Sequence, residues 1–268
     1  MTSLWGYAFV HQALLAGTIT AIVAGAVGPF ITARNMGFAV HGLAEVAFTG
    51  AAGAVLVGIA PEIGLVGACF LAALAIGLLG VRLRERDIAI GTVLAFGMGL
   101  GVLFLVLYTR YATEAFSILF GAILAVSVQD VLWSAGVGAV VLAALIAVYR
   151  PLHFASVDPE VAEARGVPVR LLSVVFLLIM ALAVAEAVQV VGILLILSLL
   201  ITPAGAARRL TAHPGRVVAY SILIAVGVTL GGIVGAVYTS WPVSFFVASL
   251  SLAAYLLARG LGGAQARA

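Results

Sequence analysis

Nine apolar stretches follow one another along the chain, separated by short polar segments. They lie near residues 8–32, 38–59, 63–81, 88–108, 130–149, 169–187, 190–207, 217–237 and 243–258. About 20 apolar residues in a helix cross the hydrocarbon core of a bilayer. The first stretch can also be an interfacial turn followed by a span, and the reversal around Glu186–Gln189 is the weakest boundary. The pattern therefore predicts an all-α integral membrane protein, a polytopic bundle of eight or nine transmembrane helices.

The composition agrees with that pattern and limits what else the chain can contain. Hydrophobic residues make up 65% and charged residues 9% of the 268 residues, whereas soluble domains carry about 25% charged residues. The spans take up most of the length, so we expect a single transmembrane domain over 1–268. The basic residues lie in short loops, so the net charge of +3 does not indicate nucleic-acid binding. We expect a multi-pass protein surrounded by membrane lipid.

Two residue types exclude other classes of protein. The chain has no lysine, and a P-loop needs a lysine to hold nucleotide phosphates, so the chain is not a P-loop ATPase by itself. Cys69 is the only cysteine, which excludes a disulfide within the chain and predicts a packing role. No arginine or lysine precedes Arg34, so the first stretch does not look like a secretory signal and should remain in the mature protein.

Arginine sets the expected orientation in the membrane. All arginines except Arg110 fall on one side of the predicted spans, namely Arg34, Arg82, Arg84, Arg86, Arg150, Arg165, Arg170, Arg208, Arg209, Arg216, Arg259 and Arg267. The positive-inside rule makes that side cytoplasmic, which places the N-terminus outside and the C-terminus inside the cell (inner) membrane. Trp5, Trp133 and Trp241 fall at outer span ends, as an aromatic belt would.

His41 and Glu45 are an ionisable pair inside the second apolar stretch. Ionisable groups within a bilayer cost about 2.5–3.5 kcal/mol each by insertion scales, so they usually mark a substrate path. Their spacing places both side chains on one helix face, about 6 Å apart along the axis. Imidazole nitrogen and carboxylate oxygen both suit zinc and manganese. The alternative is a polar pair near a helix end that bonds to its neighbours.

Small residues follow this pair on the same predicted helix. Gly50, Gly53 and Ala54 lie in the run GAAGAVLVG. Because small residues let membrane helices approach closely, this helix is expected to be central in the bundle, although glycine is also common in membrane helices in general.

The longest predicted cytoplasmic loop, 150–168, contains signals for a short helix over about 158–166. Asp158 can cap the helix, and proline at the next position is favoured in a first turn. Gly166 can end it. Its Val161 and Ala162 are apolar, whereas Glu160, Glu163 and Arg165 are polar. A helix this short is unstable alone, so it either docks into a partner's groove or is a solvated connector.

Two further segments deviate from plain spans. Pro203 lies within an apolar run and frees a backbone carbonyl one turn back, and Ser198 and Thr202 can help to satisfy such groups. Broken helices at membrane depth often line a permeation path. The segment 119–127, LFGAILAVS, is too short to span and predicts a short helix at the outer surface. Glu186 is another ionisable residue near the membrane, but it lies at a predicted span end, where capping or loop packing is at least as plausible as metal contact.

Three of these segments together resemble a known family. DPEVAEARGV at 158–167, VGILLILSLLITPAGAARRLT at 191–211 and LFGAILAVS at 119–127 look like the permease subunits of ABC transporters for zinc, manganese or iron. The resemblance extends from Val27 to about Val247. It implies a type II ABC importer-like bundle that is not an enzyme itself and that imports a divalent metal, zinc or manganese foremost.

The resemblance also implies partners and residue roles. The permease would dimerise and sit on cytoplasmic ATP-binding subunits that use the ATP, and an extracellular or periplasmic receptor protein would deliver the metal. The coupling helix, which docks on the ATPase, would comprise residues Asp158, Glu160, Val161, Ala162 and Gly166. His41 and Glu45 would occupy the metal-gate positions.

At those gate positions the sequence departs from the family pattern. The family usually has G-D-A-L-S-H-A-x-x-P-G, whereas residues 40–50 are V-H-G-L-A-E-V-A-F-T-G. His41 stands at the Asp position, Glu45 at the His position and Thr49 at the Pro position. The carboxylate and the imidazole are both kept but exchanged, so the ligand chemistry is retained while the identity of the metal is open.

Three other functions compete with a metal permease. A siderophore- or cobalamin-type ABC permease would need no intramembrane His–carboxylate pair. A secondary carrier driven by an ion gradient could use Glu45 and Glu186 as proton relays, but it needs no helix for docking an ATPase. A membrane metalloprotease would need a motif such as H-E-x-x-H, which the sequence lacks.

Overall fold

The computed structural model describes residues 8–79, 83–107, 123–239 and 241–265. Within these ranges the regular elements are helices. They are α1 (Ala8–Ala33), α2 (Gly37–Leu56), α3 (Pro61–Leu79), α4 (Leu83–Leu107), a 3-10 turn (Ile123–Ala125), α5 (Val128–Val157), α6 (Pro159–Ala164), α7 (Val169–Val191), α8 (Ile193–Leu200), α9 (Thr202–Leu210), α10 (Pro214–Thr239) and α11 (Val243–Gln265). The predicted all-α fold is thus confirmed for the described residues.

Eight of these helices are long and apolar enough to cross a membrane: α1, α2, α3, α4, α5, α7, α10 and α11. The first apolar stretch forms one continuous helix. The seventh predicted span, 190–207, forms the two short helices α8 and α9, which meet at Ile201. Because Pro203 stands just inside α9, the break lies where its missing N–H interrupts the helical hydrogen bonds. The described chain therefore has eight continuous spans and one broken segment.

The boundary between α7 and α8 differs from the prediction. The prediction of a turn around Glu186–Gln189 is wrong, because α7 continues through these residues to Val191. Gly192 alone then connects the two helices, with φ 80° and ψ 167°, a backbone conformation that is essentially restricted to glycine. As a consequence Glu186 lies inside a helix and not at a span end.

Three helices form the centre of the bundle. The most enclosed are α1, α2 and α7. The first, α1, packs against α5, α7 and α10, while α2 packs against α3, α4 and α7. The only cysteine, Cys69 on α3, is fully buried, and its thiol donates to the carbonyl of Leu43 on α2 over 3.4 Å. This geometry agrees with the predicted packing role of Cys69 and with a central position for α2.

The closest helix crossing joins α2 to α3 through small residues. A Cβ atom built on Gly50 would lie 2.1 Å from the carbonyl oxygen of Gly64, and one built on Gly64 would lie 2.1 Å from the carbonyl oxygen of Gly50. Ala54 and Ala68, one turn further along each helix, flank the crossing. The two backbones therefore touch, as in other small-xxx-small contacts of membrane helices.

This crossing gives a stability prediction. Gly64→Ala should lower the midpoint temperature of unfolding in detergent, because overpacking a tight contact typically costs about 1–3 kcal/mol. Gly67→Ala on the same helix is the matched control, since a Cβ there would meet nothing within 4 Å, and alanine is the better helix former. Fluorescence-detected size-exclusion chromatography after heating measures both variants. Equal midpoints for the two variants would contradict the close crossing.

Candidate functional site

The predicted pair of α2 is formed in the structure. His41 Nε2 lies 3.0 Å from Glu45 Oε1 across one helical turn. The second carboxylate oxygen, Glu45 Oε2, is buried and has no hydrogen-bond partner among the described residues. One oxygen is thus engaged by the imidazole, while the other keeps its lone pairs available to a cation.

The pair lies on the one face of α2 that the described chain leaves uncovered. Phe38 is 45% exposed, and the side chains of His41 and Glu45 are 42% and 20% exposed. Residues on the opposite side of the helix, such as Leu43 and Ala47, are fully buried. Because two ionisable groups facing lipid would be costly, this open face calls for a polar neighbour outside the described residues or for an aqueous path.

The described part of one chain does not complete a metal site around this pair. No group of three or more His, Cys, Asp or Glu side chains that could hold a metal ion occurs among the described residues. Zinc in proteins is commonly held by four ligands. For a metal held at His41 and Glu45, the remaining ligands would therefore have to come from outside the described residues.

Thr49 anchors the helix that carries the pair, one turn beyond Glu45. Its hydroxyl donates to the carbonyl oxygen of Gly97 on α4 over 2.8 Å and is buried. Cβ atoms built on Gly97 and Gly101 would collide with Val46 and Thr49, respectively. The residue that replaces proline in the family pattern thus fixes α2 against α4. The sequence alone gave no sign of this bond, because its partners are distant along the chain.

Glu186 lies in a different polar cluster, near the outer end of α7. It is 1% exposed, and its Oε1 accepts hydrogen bonds from the hydroxyl of Thr20 on α1, over 2.6 Å, and from that of Ser134 on α5. One turn further out, the side-chain amide of Gln189 donates to Asp130 on α5 over 3.3 Å. The hydrogen-bond partners of Glu186 are thus on α1 and α5, whereas His41 and Glu45 are on α2.

The predicted short cytoplasmic helix is present as α6. Asp158 caps it, accepting a hydrogen bond from the Val161 N–H over 3.0 Å, and Pro159 follows the cap. At the other end Gly166 has φ +82°, and the Val167 N–H donates to the Ala162 carbonyl over 3.0 Å. These features confirm the predicted N-cap at Asp158 and the predicted helix end at Gly166.

The two apolar positions of this helix face different surroundings. Val161 is 43% exposed, whereas Ala162 is fully buried against the permease itself. Glu160 is exposed in the first turn. Ala162 therefore holds α6 on the bundle, and the surface open to a partner comprises Val161 and Glu160 together with the cap of the helix.

The outer segment is described in part. Residues 119–122 lie outside the described ranges, as do Trp5, Arg82 and Arg110. The rest of the segment includes the 3-10 turn Ile123–Ala125, whose Ile123 is buried and which packs against α1.

Comparison with known proteins decides the family. The model of the ABC 3 transport family matches residues 6–260. The chain belongs to the ABC 3 transport family. It is 34% identical over 209 residues to the manganese transport system membrane protein MntC of Halalkalibacterium halodurans, covering 78% of this chain and 72% of that protein. It is also 27% identical over 230 residues to the high-affinity zinc uptake system membrane protein ZnuB of Haemophilus influenzae, covering 85% and 88%.

A solved structure of PsaBC from Streptococcus pneumoniae in complex with Fab has the same fold. The two chains share 28% identity and a TM-score of 0.84, with 95% of this chain and 92% of that chain covered. This likeness confirms the permease fold expected from the three sequence segments. The chain is a member of the ABC 3 family, and eight helices among its described residues are long and apolar enough to cross a membrane. The protein is therefore a multi-pass protein of the cytoplasmic membrane.

Proposed function

We propose that this protein is the permease subunit of an ATP-driven importer for a divalent transition metal, manganese or zinc. The observation that carries the proposal is the His41–Glu45 pair, whose nitrogen and oxygen lie 3.0 Å apart on the open face of a central helix. Relatives named for manganese and for zinc transport support a cargo of this kind. Both metals accept imidazole and carboxylate ligands, so the pair is compatible with either.

The energy for transport would come from a separate subunit. The chain has no lysine for a P-loop, so this protein would not hydrolyse ATP itself. The exposed side of α6, with Val161 and Glu160, is the surface proposed to dock on the cytoplasmic ATPase. A receptor protein on the outer side would deliver the metal, as expected for an importer of this family.

A second copy of the permease would complete the metal site. Each copy contributes one imidazole and one carboxylate on an uncovered face. Two copies related by a twofold axis would bring four ligands around one point, which suits a tetrahedral ion. This arrangement also removes the ionisable pair from lipid. It predicts one bound metal ion for every two permease chains.

Reconstitution tests the proposed function against the rival carrier. The permease is purified with its ATPase and reconstituted in liposomes together with the receptor. These liposomes should accumulate radioactive manganese or zinc only when ATP is present on the cytoplasmic side of the permease. A proton gradient without ATP should have no effect. Uptake driven by the gradient and independent of ATP would favour the secondary carrier with Glu45 and Glu186 as relays and would contradict the proposal.

The exchanged order of the pair gives a second prediction. A double variant with His41→Asp and Glu45→His restores the family order, so it should retain part of the uptake and shift the preference between manganese and zinc. The shift is expected because aspartate is shorter than glutamate and reaches the ion from a different position. Competition between the two metals during uptake measures it. Complete loss with normal membrane insertion would mean that the surroundings, including the Thr49 bond, accept only the present order.

A further inference from the structure

Arg34 follows directly after α1, at a rigid corner. Asn35 adopts a left-handed conformation with φ 52°, and the Met36 N–H donates to the Ile31 carbonyl over 2.9 Å, which closes the end of α1. Met36 is 1% exposed, and its carbonyl accepts a hydrogen bond from Val40 in the first turn of α2. The corner therefore moves together with α1 and with the helix that carries His41.

The Arg34 guanidinium links this corner to both helices that flank the coupling helix. Nη1 donates to the hydroxyl of Ser156 in the last turn of α5, over 3.5 Å, and Nη2 donates to the hydroxyl of Ser173 near the start of α7. These two hydroxyls donate in turn to the carbonyls of Leu152 and Val169 within their own helices. The lone pairs of both hydroxyls are thus left to accept from Arg34. Each serine accepts from Arg34 and donates to a carbonyl of its own helix, so the directions of these four hydrogen bonds are consistent.

Aromatic rings hold the guanidinium in place. Arg34 lies over the ring of Phe176 on α7, at 5.8 Å from its centroid. Phe30, one turn before Arg34, contacts Phe176 at 6.2 Å and Tyr149 of α5 at 5.6 Å. A planar cation stacked on a packed ring loses little further freedom when it bonds. The connection between the corner, α5 and α7 is therefore a fixed contact.

The same three helices are also joined at a second level, where Thr20 lies in the middle of α1, Ser134 near the start of α5 and Glu186 near the end of α7. Glu186 of α7 accepts from Thr20 of α1 and from Ser134 of α5, and Gln189 bonds to Asp130 one turn further out. With polar contacts at these two levels, α1, α5 and α7 form one unit. The coupling helix α6 is inserted between α5 and α7 at the inner end of this unit and is held there by the buried Ala162.

From this geometry we propose that Arg34 is a positioning residue that transmits movement of the coupling helix to α2 and so to the His41–Glu45 pair. The inference rests on the proposed function. A displacement of α6 by the ATPase shifts the ends of α5 and α7, and Arg34 carries that shift to the α1–α2 corner. Without Arg34 the ATPase would still dock and the metal would still bind, but the two events would no longer be linked.

The test uses the complete complex of permease, ATPase and receptor in liposomes. For Arg34→Ala we expect at least a tenfold loss of metal uptake, with the ATPase still co-purifying and the bound metal per permease unchanged. ATP hydrolysis should continue but no longer respond to metal-loaded receptor. Arg34→Lys should recover part of the coupling, because an ammonium can still donate to both hydroxyls. Arg259→Ala, at an exposed arginine of α11, is the control and should behave as the wild type.

Several results would overturn the inference. One is an Arg34→Ala complex that couples ATP hydrolysis to uptake as the wild type does. Another is a parallel loss of uptake, ATPase binding and bound metal, which would make Arg34 a purely structural residue. If Arg34→Ala fails to insert, the double variant Ser156→Ala and Ser173→Ala tests the same contacts. Normal coupling of ATP hydrolysis to metal uptake in this double variant would contradict the positioning role of Arg34. Failure of the wild-type complex to take up metal would instead contradict the proposed function.

Discussion

Replacing His41 or Glu45 with alanine is expected to reduce ATP-dependent metal uptake to background while the permease still inserts and still binds its ATPase. Each substitution removes one of the two ligand types that a chain contributes. His41→Ala additionally leaves the Glu45 carboxylate without its imidazole partner, which weakens the site further. Uptake of radioactive manganese or zinc in liposomes, normalised to the permease content, measures the effect.

The metal content of the same complexes provides an independent measurement. Wild-type complex should hold one ion for every two permease chains, and either alanine variant should hold none. His213→Ala and Glu62→Ala are the matched controls, because they remove the same chemical groups outside the pair. Normal uptake by the double variant His41→Ala, Glu45→Ala would show that the pair is only a polar contact within α2.

The second large effect is expected at the coupling helix. Val161→Arg should prevent co-purification of the ATPase and abolish uptake, because a bulky charge would have to enter a packed groove without a partner. Val161→Ala is the size control and should keep most of the binding. Metal bound at His41 and Glu45 should remain in both variants, since the change lies on the cytoplasmic side. If Val161→Arg keeps both the ATPase and uptake, α6 is only a connector.

Gly166 gives a further check on the same helix. Its Cβ position is open, with nothing within 4 Å, while its φ is +82°, so any effect of substitution comes from backbone strain and not from a clash. Gly166→Val should therefore misorient α6 and weaken ATPase binding. Gly166→Asn should be tolerated, since asparagine adopts the left-handed region more readily. Equal behaviour of the two variants would contradict an orienting role for this turn.

The features that local sequence encodes were predictable. Apolar stretches gave the eight continuous spans, and the cap at Asp158 and the stop at Gly166 gave α6 almost to the residue. The spacing of His41 and Glu45 placed them on one face because helix geometry alone determines that contact. The role of these residues in transport stays a prediction.

The features that depend on distant parts of the chain were not predictable. The bond from Thr49 to Gly97 and the bonds from Arg34 to Ser156 and Ser173 join segments far apart in sequence. The sequence predicted Glu186 at a span end because the stretch around it is interrupted by polar residues, whereas in the structure its Oε1 accepts hydrogen bonds from α1 and α5, and Gln189 donates to Asp130 of α5. Only Gly192 carried a local sign of the observed helix boundary, as a glycine directly after an apolar run.

The burial of Cys69 makes the wild-type chain a convenient background for site-directed spin labelling. Its thiol is fully buried between α2 and α3, so a thiol-reactive nitroxide would attach to a newly introduced exposed cysteine and leave the native one untouched. Phe38→Cys and Val57→Cys would label the two ends of α2 in turn. Distances between nitroxides on paired copies, recorded with and without ATP, would show which end of this helix opens first during the transport cycle.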